Sequence, residues 1–207
     1  KGGGVLEHSY VSRATIGRIP VYLRYLKNNY HSTENISATA LARALGLGEV
    51  QVRKDLSAVS GAGRPKTGYN IGKLTQALED FLGGESNVVI VGAGKLGRAL
   101  LDYSGFNDYG LHISAAFDNS IKTAEKSNTS KPILPADMLE SFCGENNVKI
   151  GIITVPAEAS QAVCDRLLNC GVKGIWCFAP CTLKVPDGFP VQYENMALSL
   201  AHLNKKI

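Results

Sequence analysis

The chain has 207 residues, 44% of them apolar and 19% charged, an ordinary globular balance that can bury a core and fits one large domain or two small ones. Its longest apolar run, 88–94, falls well short of the roughly 18 residues a membrane helix needs, and no basic stretch leading into an apolar one opens the sequence. Neither a membrane span nor a secretory signal is therefore expected, and a cytoplasmic protein is. The net charge of +4 is uneven: residues 1–83 carry 11 Lys and Arg against 6 Asp and Glu, whereas residues 84–207 carry 11 against 12. A polyanionic partner is expected for the first part only.

The opening Lys1–His8 is glycine-rich and patternless and is set aside. Ile16, Ile19, Tyr22, Leu23 and Leu26 then recur at helical spacing, with Pro20 expected to break or kink the helix. Ser37 is a suitable N-cap for a helix over Ala38–Leu45, whose Leu41, Ala44 and Leu45 share a face. Gly46-Leu47-Gly48 turns the chain into a helix from Glu49 to about Val59, with Val52, Leu56 and Val59 inward. Helix, glycine turn, helix is the helix-turn-helix pattern. On its second helix Gln51, Arg53, Lys54 and Ser57 face outward or flank the core, a donor set suited to base edges and phosphates. Gly61–Tyr69 follows as a short hairpin, or wing, with a basic tip. A helix over Asn70–Leu82, striped by Ile71, Leu74, Leu78 and Phe81, closes a first domain at 9–83, and Gly83–Ser86 links it to the next.

From there strands alternate with helices: Val88–Val91, Lys95–Tyr103, His112–Phe117, Leu134–Phe142 (helix), Ile150–Val155, Ala157–Leu168 and Gly174–Phe178. Near-continuous apolar strands between helices predict an α/β domain over 84–190, its parallel sheet covered on both faces. Gly92-Ala93-Gly94-Lys95-Leu96-Gly97 directly follows the first strand and opens a helix, and Asp118 ends the next strand. This is the dinucleotide fingerprint of the Rossmann type: Gly92 for the tight turn, Gly94 for close approach of the pyrophosphate, Gly97 for helix–strand packing. The helix N-terminus suits the phosphates. Asp118 would accept from the ribose hydroxyls and repel a 2′-phosphate, which points to NAD(H), although Lys122 stands near.

Five cysteines, Cys143, Cys164, Cys170, Cys177 and Cys181, match no zinc spacing and read as reduced thiols, several in the core; Cys177 and Cys181 are the one candidate redox pair. No metal site and no catalytic residue are expected. A dehydrogenase needs a proton donor beside the nicotinamide, and neither His112 nor His202 is well placed for that. A cofactor site without a reaction centre points to sensing. Two alternatives stay open: a small NAD-dependent oxidoreductase, and a DNA-binding protein whose second domain only dimerises or holds another adenylate such as coenzyme A.

The stretches "IPVYLRYL", "QVRKDLS", "GYNI", "VGAGKLGRALL", "AAFD", "VPAEA", "GIWCFAP" and "ENMALSLAHL" together resemble the Rex family of bacterial redox-sensing transcriptional repressors, from about Ser12 to the C-terminus. The resemblance implies a homodimer with N-terminal winged helices, NAD(H)-binding Rossmann domains, and a C-terminal segment, 191–207, whose helix swaps onto the partner. It implies release from palindromic double-stranded operator DNA when NADH is high. By position it puts Gln51, Arg53, Lys54 and Ser57 on the recognition helix and Arg64, Lys66 and Tyr69 on or beside the wing. It puts the cofactor on Gly92, Ala93, Gly94, Lys95, Leu96, Gly97, Phe117, Asp118, Thr154, Val155, Pro156, Phe178, Ala179 and Pro180, with Tyr103 near the nicotinamide. Three places depart from the family pattern. Ala58–Ala62 replaces an aromatic-containing stretch, which implies a different operator preference. Cys177 stands where an Asn is usual. Ala197 stands where the swapped helix usually carries an Asp that pairs with an N-terminal Arg, here Arg18, so the coupling between cofactor and DNA is expected to be weaker or built differently.

Overall fold

A computed structural model describes residues 11–29, 34–120 and 129–207. Lys122, named for its nearness to Asp118, and residues 9, 10 and 30–33 of the predicted first domain lie outside them. The chain divides into two units, Lys1–Gly84 and Glu85–Ile207.

The N-terminal unit comprises α1 (Arg13–Asn29), β1 (Asn35–Ile36), α2 (Ala38–Leu45), α3 (Glu49–Ser60), β2 (Tyr69–Asn70) and α4 (Ile71–Phe81). Its core gathers Ile19, Tyr22, Leu23 and Leu26 of α1 with Leu41, Val52, Leu56, Ile71, Leu74 and Leu78, so the 3.6-residue stripes of all four helices meet. Ile16 and Ala44, expected in that core, lie at the surface, and Ala38 and Ala42 take the inward places on α2. Helix α1 runs through Pro20 without interruption. Proline forfeits one intrahelical bond; burial of Ile19, Tyr22, Leu23 and Leu26 around it outweighs that loss. The predicted cap of α2 is in place: Ser37 Oγ accepts from Ala40 N–H at 3.0 Å, and Gly46, at φ +65°, ends the helix.

The second unit carries a six-stranded sheet, all of whose neighbours are parallel. Its strands are β3 (Ser86–Val91), β4 (Leu111–Asp118), β5 (Ile133–Pro135), β6 (Val148–Ile153), β7 (Gly174–Cys177) and β8 (Val191–Tyr193), in the spatial order β5-β4-β3-β6-β7-β8. Renumbered within the sheet this is 3-2-1-4-5-6, the doubly wound order of dinucleotide-binding folds. Helix α5 (Lys95–Asp102) packs on one face with Val88, Ile90, Ala116 and Ile152. Helices α6 (Leu139–Asn146) and α7 (Ala157–Asn169) cover the other, over Val89, Val91, Phe117 and Ile153. Consecutive residues of β3 thus serve opposite faces, which is why the strand reads as unbroken apolar sequence. A final helix, α8 (Met196–Asn204), is capped by Asn195, whose side chain accepts from Leu198 N–H.

Two segments differ from the sequence reading. Leu134–Phe142 is not one helix: Ile133–Pro135 pairs with Ala116–Asp118 as an edge strand, and α6 starts only at Leu139. Pro135, having no N–H to donate, suits an edge strand and not a helix interior. The sheet also takes in Val191–Tyr193, expected in the C-terminal segment, because Ile175–Cys177 offers it a partner edge.

Candidate functional site

On the N-terminal unit, Gln51, Arg53, Lys54 and Ser57 are all exposed on α3. They share this surface because Val52 and Leu56, fully buried, fix which side of the helix turns inward. Arg53 is paired with Glu49 one turn earlier. Gln51 is not a free reader: its side-chain N–H donates to Asp55 Oδ1 at 2.9 Å. Asp55, only 2% exposed, also receives Thr15 Oγ1–H at 3.1 Å, Tyr22 O–H at 2.7 Å, and both Nε–H (2.6 Å) and Nη2–H (3.0 Å) of Arg18. Burial alone would push this carboxyl up, but the donors of Arg18, Tyr22, Gln51 and Thr15 outweigh it and hold Asp55 below the ordinary carboxylate range. Burial likewise raises the Tyr22 phenol, with Asp55 adding to the effect. The hub ties α1 to α3, and it gives Arg18 a carboxylate partner inside its own unit.

The wing is a small hairpin. Arg64 and Gly68 exchange both backbone hydrogen bonds, at 2.8 and 2.9 Å, around an exposed Lys66 at φ +68°. At Gly68 a Cβ would stand 2.3 Å from the Ile36 carbonyl oxygen, and its φ is +75°, so only glycine lets the wing return onto β1. Arg64 and Lys66 are exposed, as the reading requires. Tyr69 is not: it is buried in the unit's core, its ring directly under Gly63, and is removed from the surface set. Its place beside the wing is as the resemblance implies, and the apolar area of its ring is buried with the core of the unit.

In the second unit a cleft of about 320 Å³ opens at the C-terminal ends of β3, β4 and β6, where strand order reverses. Gly92, Gly94, Phe117, Asp118, Thr154, Val155 and Pro156, all named from sequence, line it. The three loop glycines have separate reasons. Gly92 has φ +104° and lies hard against Thr154. At Gly97 a Cβ would fall 1.9 Å from the Gly92 carbonyl oxygen, the close contact between helix and loop. At Gly94 a Cβ would meet no atom within 4 Å and would project into open space. Thr154 Oγ1–H donates to Gly92 O at 2.7 Å and anchors the loop, while Asp118 Oδ2 accepts from Ala93 N–H at 2.7 Å. Asp118 therefore braces the loop as well as facing the cleft.

Other sequence-named residues do not line the cleft. Ala93 and Gly97 are buried behind it, Lys95 and Leu96 lie in the first turn of α5, and Phe178-Ala179-Pro180 follows β7, with the Phe178 ring tilted against Trp176 at 4.5 Å between centroids. Tyr103, at the far end of α5, is 58% exposed and edge-on to Phe106, outside the cleft. Val91, Asn119, Ala136, Ala159, Val163 and Arg166 also line it and were not named from sequence. Ala159, Val163 and Arg166 recur at i, i+4 and i+7 of α7, and that spacing after Pro156 was the available signal.

All five cysteines are free, and Cys143, Cys164 and Cys177 are buried. Burial pushes the Cys143 thiol up to about 12 and the Cys164 thiol up to about 11, and raises Cys170 and Cys177 as well. These are core thiols of low thiolate content. Among the described residues no group of three or more His, Cys, Asp and Glu is arranged to hold a metal ion, and no helix is long and apolar enough to cross a membrane.

Comparison with known proteins agrees with both units. Residues 84–181 match the family model described as "CoA binding domain", and residues 10–57 the one described as "Putative DNA-binding protein N-terminus". The chain is 41% identical over 200 residues to the redox-sensing transcriptional repressor Rex of Carboxydothermus hydrogenoformans, covering 95% of this chain and 96% of that one. It is 31% identical to RSP in a crystal structure with β-NAD⁺ and operator DNA, with a TM-score of 0.72 over 96% of this chain and 93% of that one. For RSP with β-NADH the values are 30% identity and a TM-score of 0.64, over 96% and 94%. A helix-turn-helix unit joined to a doubly wound dinucleotide-type unit defines a two-part transcriptional regulator. The chain belongs to the Rex family of redox-sensing transcriptional repressors.

Proposed function

We propose that this protein is a cytoplasmic DNA-binding repressor that senses the ratio of NADH to NAD⁺ and is released from a palindromic operator when NADH fills the cleft at Gly92–Gly97. One observation carries the reading most directly. The glycine loop, Thr154 and Asp118 converge at the switch point of a 3-2-1-4-5-6 sheet, and Gly94 leaves open space where a pyrophosphate would lie. Relatives named as repressors, and RSP bound to β-NAD⁺ with operator DNA and to β-NADH, support it. Gln51, Arg53, Lys54, Ser57, Arg64 and Lys66 form the DNA face in this reading, with the winged-helix domain at 9–83. The cofactor set is the one named from sequence, joined by Ala159 and Val163 of α7.

The working form is a homodimer whose recognition helices lie about 34–36 Å apart on DNA. Its C-terminal segment, 191–207, supplies the swapped helix; the part free to swap is α8, since β8 belongs to the sheet. Met196, Leu198, Leu200 and Leu203 of α8 are each more than half exposed, an apolar display that calls for a cover. NADH acts by preferring the dimer state in which the two helices miss that spacing, and its effect is bounded by its differential affinity.

The test is operator binding by the intact protein at fixed salt, titrated with NADH and separately with NAD⁺, on a duplex selected from a random library. NADH should release the DNA at concentrations where NAD⁺ does not; equal DNA affinity at saturation with either would end the sensor reading. The match to the "CoA binding domain" model favours one rival ligand, coenzyme A, which shares the adenosine diphosphate moiety. A thermal shift series with NADH, NAD⁺, NADPH and coenzyme A separates the two.

A further inference from the structure

The cleft contains an arginine whose Nε and Nη2 donors are already engaged. Arg166, on α7, lines the cleft beside Asp118 and Ala136. Its Nε–H donates to Glu140 Oε1 at 2.6 Å, and its Nη2 donates to both Glu140 Oε2 at 2.7 Å and the Ala136 carbonyl oxygen at 2.6 Å. A guanidinium grips a carboxylate or phosphate through one of two edges, Nε with one terminal nitrogen or the two terminal nitrogens together. Nη2 belongs to both edges here and is committed twice, so neither edge is open for a two-point grip and Nη1 alone is left for single hydrogen bonds.

The position of this arginine gives that closure a consequence. Asp118 pairs with Pro135 across the β4–β5 ladder, and Ala136, whose carbonyl holds Arg166, is the next residue. The guanidinium is thereby fixed next to the strand end that presents Asp118. In dinucleotide folds that end meets the ribose 2′ position, and an arginine nearby is what accommodates a 2′-phosphate. Among the described residues lining the cleft Arg166 is the one cation, and Glu140, which locks it, is not part of the lining.

We propose that Glu140 is a specificity-determining residue that acts through Arg166: by occupying its donor fork it keeps the cleft selective for dinucleotides with a free 2′-hydroxyl over those with a 2′-phosphate. The proposal rests on the reading that this cleft binds NAD(H). Asp118 opposes the 2′-phosphate by charge, and Glu140 offsets the charge and takes up the two-point donor edge of the one cation among the described lining residues. Glu140 is about half exposed, on the first turn of α6, so its removal leaves the core untouched.

The experiment measures, by calorimetry on the full chain, the affinities of adenosine 5′-phosphate, adenosine 2′,5′-bisphosphate, NAD⁺ and NADP⁺ in wild type, Glu140→Ala, Glu140→Gln and the double variant Glu140→Ala/Arg166→Ala. Glu140→Ala should bind the bisphosphate and NADP⁺ roughly tenfold or more tightly than wild type does, the worth of one charge-assisted contact. NAD⁺ and adenosine 5′-phosphate should change less than about twofold. The gain should shrink as salt rises and vanish in the double variant. Glu140→Gln, which keeps the side-chain volume, should show the same direction and secures the result should the alanine variant fold poorly. NAD⁺ bound as before with no gain for the 2′-phosphate ligands in either single variant, or a gain that survives loss of Arg166, would overturn the role of Glu140. Wild type that binds neither NAD⁺ nor adenosine 5′-phosphate would instead overturn the cofactor reading, and this proposal with it.

Discussion

Gly94, the N-cap of α5, and Gly97, in its first turn, are three residues apart, yet alanine at each should fail in opposite ways. At Gly97 the new Cβ would lie 1.9 Å from Gly92 O and 3.0 Å from Thr154 Oγ1, both held by hydrogen bonds, so the loop or α5 must move. Overpacking of this kind costs about 1–3 kcal/mol, and a backbone oxygen that cannot yield puts the case at the upper end. At Gly94 the backbone, φ −68° and ψ −165°, is one any residue adopts, and no protein atom lies within 4 Å. Gly94 caps α5, where glycine outperforms alanine, so the cost is about 1 kcal/mol, or roughly 3–6 °C in a unit of this size. The methyl would occupy the space where the pyrophosphate approaches the helix N-terminus, and a loss of about 3 kcal/mol in binding is roughly 100-fold. Differential scanning calorimetry with NADH titration separates the two: Gly94→Ala folds and loses NADH, while Gly97→Ala loses stability first. A Gly94→Ala protein that binds NADH as tightly as wild type would refute the placement of the phosphates.

Three further outcomes follow from the geometry. Asp55 is held below its ordinary range when folded, so its contribution is present above the unfolded carboxylate value of about 3.9 and is lost as pH falls through the depressed one. Urea unfolding of the N-terminal unit should weaken below about pH 4, and Asp55→Asn should cost about 3 kcal/mol at neutral pH, the low end for a broken buried pair because Arg18 is a quarter exposed. Gln51→Ala should weaken operator binding about equally on all single-base operator variants, because the bond to Asp55 holds its amide against α3, whereas Arg53→Ala should lose discrimination at particular base pairs; the reverse pattern in gel-shift titrations would exchange their roles. Leu200→Glu, on the exposed face of α8, should convert the dimer to monomer in sedimentation without lowering NAD⁺ affinity more than a few-fold, and an unchanged dimer would count against the swapped helix.

The elements that carry apolar periodicity were legible in the sequence. The stripes of α1, α3 and α4, the capped start of α2 and the apolar strands β3 and β6 each repeat a pattern that burial imposes along the chain itself. Short edge strands carry no such repeat. Ile133–Pro135 and Val191–Tyr193 have three residues each, and only the neighbouring strand edge decides that they pair. Tyr69 illustrates the same limit: beside a basic wing tip it reads as a contact residue, and its burial under Gly63 depends on how the hairpin folds back.

Polar pairs across elements were the least legible, and they bear most on function. Arg18 and Asp55 are 37 residues apart, and Glu140 and Arg166 are 26 apart, and no spacing rule links such partners before the fold does. The Arg18–Asp55 pair also alters how the departure at Ala197 is to be understood. By resemblance, Arg18 would answer to a carboxylate on the swapped helix, and alanine there removes that partner. Yet Arg18 is not left wanting a carboxylate, because Asp55 takes both its Nε–H and Nη2–H within the same unit. A guanidinium so engaged gains little from a second carboxylate, and Ala197 makes no competing demand on it. The same Asp55 holds Gln51 on the recognition helix. Arg18 and Gln51, a residue of the proposed DNA face, thus meet on one carboxylate within the N-terminal unit.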